Sequence, residues 1–230
     1  GSIERTMMLE RIEHKNATLR ERNRLLAEQR QRIVNLQQDT EEAFQVSIRL
    51  LARAAEIHDE ETGQHIARVN EYSYVMAQLA GMPEAWCDEI RYSAQLHDVG
   101  KIGISDALLK KGGKLTPEEY ELMKQHVTIG ARFFLDQPTE FDDAARDVVL
   151  NHHERWDGTG YPDGLRGDAI PLPARLMSIA DVFDALISRR VYKEPISFAM
   201  ARDIISASAG SHFDPDIAAV FLENYDALCA

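Results

Sequence analysis

TPEEYELMKQH, residues 116–126, contains a complete helix start. Thr116 is an N-cap residue, and Pro117 suits the first helical position because the N–H it lacks would have no partner there. Glu119 follows the cap by three residues, where its carboxylate can reach back to the cap's backbone N–H. The helix it opens carries His126, whose imidazole is a common metal ligand. Similar signals recur along the chain. A helix from about Glu60 ends at Gly81, Pro83 opens another leading into His97, and the pattern continues over 142–153. Residues 154–173 interrupt it with Gly158, Gly160, Gly164, Gly167, Pro162, Pro171 and Pro173, which predicts an ordered loop. Helices resume over about 173–188, 197–208 and 215–228, the last capped by Asp214. No stretch alternates convincingly enough for a sheet, so the expected fold class is all-α, a helical bundle.

Upstream, the chain has no Pro and no further Gly from residue 3 to about residue 55, which predicts one long helix. Ile12, Leu19, Leu26 and Ile33 recur every seven residues, and Leu36, Ala43 and Leu50 occupy the complementary position. Lys15, Arg22 and Gln29 fill that second position earlier, so the seam is thin at first. The expectation is a coiled-coil stalk over residues 1–44, a homodimer through it, and a catalytic domain over 45–230. Gly1-Ser2 resembles an expression scar, and a stalk at this end implies an upstream sensor or receiver domain.

Composition narrows the class. With 230 residues, 44% of them hydrophobic, the chain can bury one sizeable core plus an appendage. No apolar run approaches the roughly 18 to 20 residues of a membrane span, and no signal peptide is visible, so the expected location is cytoplasmic. Cys87 and Cys229 cannot build a disulfide framework and neither adjoins a histidine cluster. Residues 1–40 hold eight Lys/Arg and six Asp/Glu, so the net charge of −12 arises entirely beyond them. That balance argues against duplex nucleic acid as a partner.

The chemistry-bearing residues are Glu61 and His65, the doublet His97-Asp98, His126, the doublet His152-His153, and Asp181. They are more donors than one ion can use, and they suggest two or three metals close together. Glu61 and His65 share a helix face at i, i+4. Neighbours in a helix point about 100° apart, so each doublet can serve one site only at a helix end or beside two adjacent ions. Lys101, one turn beyond His97, should point toward the same pocket and pair with a phosphate oxygen or a departing alkoxide. His14, His58 and His212 lack such company and are read as ordinary packed or surface histidines.

HDVGK at 97–101 and HHERWDGTGYP at 152–162 resemble the two signature segments of the HD-GYP family, a branch of the HD-domain metal phosphohydrolases. DEETGQHIARV at 59–69, PLPARLMSIADVFDAL at 171–186, SRRVYK at 188–193 and FDP at 213–215 extend the resemblance over about residues 45–228. It implies an all-helical domain that hydrolyses cyclic di-GMP, a bacterial second messenger. It makes His65, His97, Asp98 and Asp181 core metal ligands, His126, His152 and His153 the set for a second ion, and Glu61 the ligand that goes with a third. It also implies that Arg190 and Lys193 contact the second phosphate or a guanine edge. Asp184, one turn after Asp181, is left with two roles, substrate contact or acceptor for a ligand histidine.

A phosphodiester repels nucleophiles and has an unstable alkoxide leaving group. Paired metals answer both problems, since they generate a bridging hydroxide and neutralise the phosphoryl oxygens. Imidazole and carboxylate without thiolate suit iron, manganese or zinc better than calcium, and the family resemblance favours iron, then manganese. The expected activity is cyclic di-GMP hydrolysis to pGpG and, through a third ion at Glu61, on to GMP, with Asp98 and Lys101 at the reacting centre. The alternatives are another cyclic dinucleotide, such as cyclic GMP-AMP, or a low-turnover cyclic di-GMP sensor.

Overall fold

The computed structural model describes residues 1–59, 63–134, 140–189 and 194–229. Helix α1 is continuous over Ser2–Asp59. The chain divides into two units, Gly1–Ser47 and Ile48–Ala230. In the first unit Ile12, Leu19, Leu26, Ile33 and Leu36 are all exposed on α1, and Arg24 bonds Glu21 three residues earlier at 2.8 Å.

Among its described residues the second unit is built of helices joined by loops, with no strand and one isolated bridge between Ala209 and Phe213. It continues through α2 (Gly63–Leu79), α3 (Glu84–Ala94), a 3-10 turn at Val99–Gly103 and a short α4 (Asp106–Leu109). Then follow α5 (Pro117–Ala131), α6 (Glu140–Asn151), α7 (Leu172–Ile187), α8 (Phe198–Ser208), α9 (Pro215–Glu223) and α10 (Tyr225–Leu228). The capping box at the head of α5 is complete: Glu119 N–H donates to the Thr116 hydroxyl at 3.3 Å, and Thr116 N–H donates to the Glu119 carboxylate at 2.7 Å. The sequence predicts a single helix over 215–228, but the chain turns at Asn224 and divides it into α9 and α10.

The main core surrounds α7, whose Phe183 and Met177 are fully buried against Met76, Ile205, Phe213 and Phe221. A second cluster joins Ile48 and Ala52 of α1 to Leu96, Val99, Ala145 and Val149. Burying side chains of this size contributes about 1.5–3 kcal/mol each, so these contacts, rather than intrinsic helix propensity, hold α3, α6 and α7 side by side. The glycine- and proline-rich loop between α6 and α7 is ordered. Trp156 and Asp157 N–H groups donate to the His212 and Ser211 carbonyls at 3.0 and 2.9 Å, and Arg175 pairs with Asp214 at 2.8 Å.

Candidate metal centre

Both doublets lie just past a helix end. α3 stops at Ala94, which places His97 in the following turn and Asp98 at the head of the 3-10 segment. α6 stops at Asn151, so His152 and His153 occupy the turn beyond it. Neither doublet is held to the 100° separation of a regular helix. A glycine explains how the first one reaches α5: a Cβ at Gly100 would overlap the His126 carbonyl and the Gly130 backbone. The 3-10 turn therefore rests directly on α5 and brings Asp98 to His126.

Asp98 is the meeting point of the side chains. Its Oδ1 lies 3.3 Å from His126 Nε2 and 3.8 Å from His152 Nε2. Its Oδ2 lies 3.2 Å from His97 Nε2 and 2.8 Å from Lys101 Nζ. Asp98, His126, His152 and His153 each offer a donor atom within 4.8 Å of the others, as do His65, His97 and Asp181. The His65 and His97 rings stand edge to face at 5.6 Å, and His97 and His152 at 5.3 Å, so the two groups adjoin.

The outer nitrogens of four histidines are engaged. His97 Nδ1 lies 2.8 Å from the Ala94 carbonyl, His126 Nδ1 2.8 Å from the Met123 carbonyl, and His152 Nδ1 3.1 Å from the carbonyls of Val148 and Val149. A carbonyl only accepts, so each of these Nδ1 atoms carries the proton. His65 Nδ1 lies 2.7 Å from the Asp184 carboxylate, which fixes the same tautomer. In each case Nε2 is left facing the cluster. Nε2 of His97, His126 and His152 and Oδ1 of Asp98 are buried and make no hydrogen bond among the described residues. Buried polar atoms are rarely left this way, whereas ligand histidines characteristically bond an acceptor through the far nitrogen. The donor set fits divalent ions held by imidazole and carboxylate.

The electrostatics are those of a site built around positive charge. Burial, then the neighbouring His126, pushes His153 down to about 3, and burial with His153 and His97 pushes His152 well below the usual histidine range. Burial alone would also depress His97, but Asp98 and, farther off, Asp181 hold it up to about 9. Burial opposes ionisation of Asp98, yet Lys101 and His97 hold its carboxyl well below the usual value.

Several residues complete the site. Asp184 is 1% exposed and accepts from His65, from Arg68 Nε and Nη2 at 2.5 and 3.1 Å, and from Ser188 at 3.2 Å. Tyr161 stacks on His153 with centroids 4.7 Å apart and an interplanar angle of 26°, and Tyr161-Pro162 is cis. Glu154, next to the second doublet, is buried and accepts from the Asp163 and Leu165 N–H groups at 2.8 and 3.0 Å. Arg68 and Glu154 escape the sequence reading. The i, i+3 spacing of His65 and Arg68 would have drawn attention to the first, but its partner Asp184 is 116 residues away. Glu61, Arg190 and Lys193 lie outside the described residues. Among those described, the structure brings together His65, His97, Asp98, Lys101, His126, His152, His153, Asp181 and Asp184.

The model of the family described as HD domain matches residues 49–217. The chain belongs to the HD domain family. The two HD-GYP segments of this HD-domain protein, 97–101 and 152–162, are the ones that supply its two doublets. It is 47% identical over 190 residues, 77% of this chain and 39% of the relative, to a cyclic di-GMP phosphodiesterase of Vibrio cholerae. It is 39% identical over 197 residues, 86% of this chain and 38% of the relative, to 3'3'-cGAMP-specific phosphodiesterase 2 of the same organism. The solved structure of the V. cholerae cyclic GMP-AMP phosphodiesterase V-cGAP3 shares the fold, with a TM-score of 0.58 and 20% identity over 78% of this chain and 48% of that one. The HD-domain chain thus spans about two fifths of the length of these curated relatives. Among the described residues no helix is long and apolar enough to cross a membrane.

Proposed function

We propose that this chain is a metal-dependent phosphodiesterase that hydrolyses cyclic di-GMP to linear pGpG, and on to GMP where a third ion is held. The observation that supports it most is Asp98, whose two oxygens face separate histidine groups at 3.2 and 3.3 Å. A carboxylate shared in this way is what a pair of adjacent ions requires. The V. cholerae relative named a cyclic di-GMP phosphodiesterase supports the choice of substrate.

In this reading His65, His97, Asp98 and Asp181 hold one ion, His126, His152 and His153 join Asp98 at a second, and Glu61 adds the third. Iron is favoured and manganese is next. Bound ions supply activated water and neutralise charge on the phosphoryl oxygens. The rest of the work belongs to the chain. Asp184 holds His65 so that Nε2 faces the centre, and Arg68 keeps that carboxylate ionised. Lys101, paired with Asp98 at 2.8 Å, offers its ammonium to a phosphoryl oxygen or to the departing alkoxide. Arg190 and Lys193 take the second phosphate or a guanine edge. Tyr161 covers one face of His153.

The protein works as a cytoplasmic homodimer, joined along residues 1–44 and driven by an upstream sensor or receiver domain, with residues 45–230 as the catalytic part. A second reading, hydrolysis of cyclic GMP-AMP, is favoured by the relative of that specificity whose match covers 86% of this chain. The deciding experiment offers both cyclic dinucleotides in competition to iron- or manganese-loaded protein and follows the products chromatographically. Preferential consumption of cyclic di-GMP supports the first reading and preferential consumption of cyclic GMP-AMP the second. No turnover of either would refute both.

A further inference from the structure

A cyclic dinucleotide with one phosphate at the metal centre must lay its second half on some other surface. The surface that continues from the centre through Tyr161 is formed by α5. Tyr161 has one neighbour in the ligand His153 and another in Tyr120, whose ring stands edge to face with it at 6.3 Å and 81°. Lys124, one turn after Tyr120 on α5, holds its ammonium 5.6 Å from both tyrosine ring centroids. Tyr120 is 47% exposed, so much of its ring is free for contact. The Lys124 side chain, in contrast, is only 25% exposed and pairs at 2.6 Å with Glu121, which is 67% exposed. An ion pair with so solvated a partner is weak and yields readily to a phosphate.

We infer that Tyr120 and Lys124 of α5, together with Tyr161 of the α6–α7 loop, form a nucleotide subsite, where the purine of the half not being cleaved stacks on Tyr120 and its phosphate pairs with Lys124. A half-exposed aromatic beside a cation is the combination that takes a base and its phosphate together: stacking is worth about 1–3 kcal/mol per base, and a charge-assisted bond holds the phosphate oxygen. The subsite is distinct in sequence from Arg190 and Lys193, so it adds a second point of attachment and an affinity for a base that metals alone cannot supply. The inference rests on the reading of the chain as a cyclic di-GMP phosphodiesterase.

The test uses the full chain loaded with manganese. KM for cyclic di-GMP and the inhibition constant of inorganic phosphate, which needs only the centre, are measured for wild type, Tyr120→Ala, Tyr120→Phe and Lys124→Ala. Tyr120→Ala should raise KM about tenfold relative to its phosphate constant, Tyr120→Phe should restore the wild-type ratio, and Lys124→Ala should raise KM about tenfold. An unchanged KM in Tyr120→Ala and Lys124→Ala, or a KM and phosphate constant that move by one common factor in Tyr120→Ala, would overturn the inference. Absence of cyclic di-GMP turnover by the wild-type protein would instead overturn the reading beneath it.

Discussion

His65 Nδ1 lies 2.7 Å from Asp184 Oδ2, and both side chains are buried. The carboxylate is kept ionised against its burial by His65 and by the Arg68 guanidinium, so it acts as an acceptor and fixes the imidazole with Nε2 turned toward Asp181 at 3.6 Å. Asp184→Asn preserves the shape but can present an N–H to His65. Metal affinity should fall by about 10- to 100-fold, as measured by competition with a chromogenic chelator. An unchanged affinity would show that Asp184 does not orient a ligand.

The contact between Gly100 and α5 predicts a large packing effect. Gly100→Ala places a methyl group against the His126 carbonyl and the Gly130 backbone, neither of which can move as a side-chain end can. The cost should be about 3 kcal/mol or more, read from urea denaturation of the metal-free protein. Gly112→Ala, with nothing within 4 Å of the new Cβ, is the control and should be near neutral. Equal effects at the two glycines would contradict the close approach.

Glu154 ties the turn after Tyr161 to the second doublet through the Asp163 and Leu165 N–H groups. In Glu154→Gln one acceptor oxygen becomes an NH2 facing an N–H donor, which should cost about 2 kcal/mol. A lower melting temperature and faster proteolysis within 154–165 are the expected results. A melting temperature equal to wild type would dismiss the clamp.

Stability should depend on pH through His212. Burial and then the Arg155 charge press its imidazole down to about 4, against the opposing pull of Asp157 and Asp181, while in the unfolded chain it titrates near 6.5. Between these values the unfolded chain binds a proton that the folded chain refuses, so this group makes stability fall as pH drops from about 6.5 toward about 4. Metal-free wild type should lose more of its urea midpoint between pH 7 and pH 5 than His212→Gln does. Equal losses would remove His212 from the account.

The parts legible in the sequence are those fixed by local chemistry. Thr116, Pro117 and Glu119 announce α5 because a capping box needs only neighbouring residues, and the doublets His97-Asp98 and His152-His153 announce a polar centre because each sets two metal-binding side chains next to one another. Long-range partnerships were out of reach. Nothing local to Arg68 points to Asp184, and nothing at Glu154 specifies the backbone N–H groups nine and eleven residues later. The break at Asn224 is likewise hidden by the apolar spacing, which suits one helix on either side; there the Asn224 side-chain amide donates to the Val220 carbonyl at 2.9 Å. The doublets were legible as an anomaly, but only the folded chain places each of them just past a helix end.

The central claim is that this one cluster holds adjacent ions and uses them to cleave cyclic di-GMP. Its most direct test is elemental analysis of anaerobically purified protein, on the same sample whose cyclic di-GMP hydrolysis is measured. The account predicts at least about two ions per chain in active protein, with metal content and activity lost together in Asp98→Ala. Full activity at a ratio clearly below two, or in Asp98→Ala protein, would contradict it.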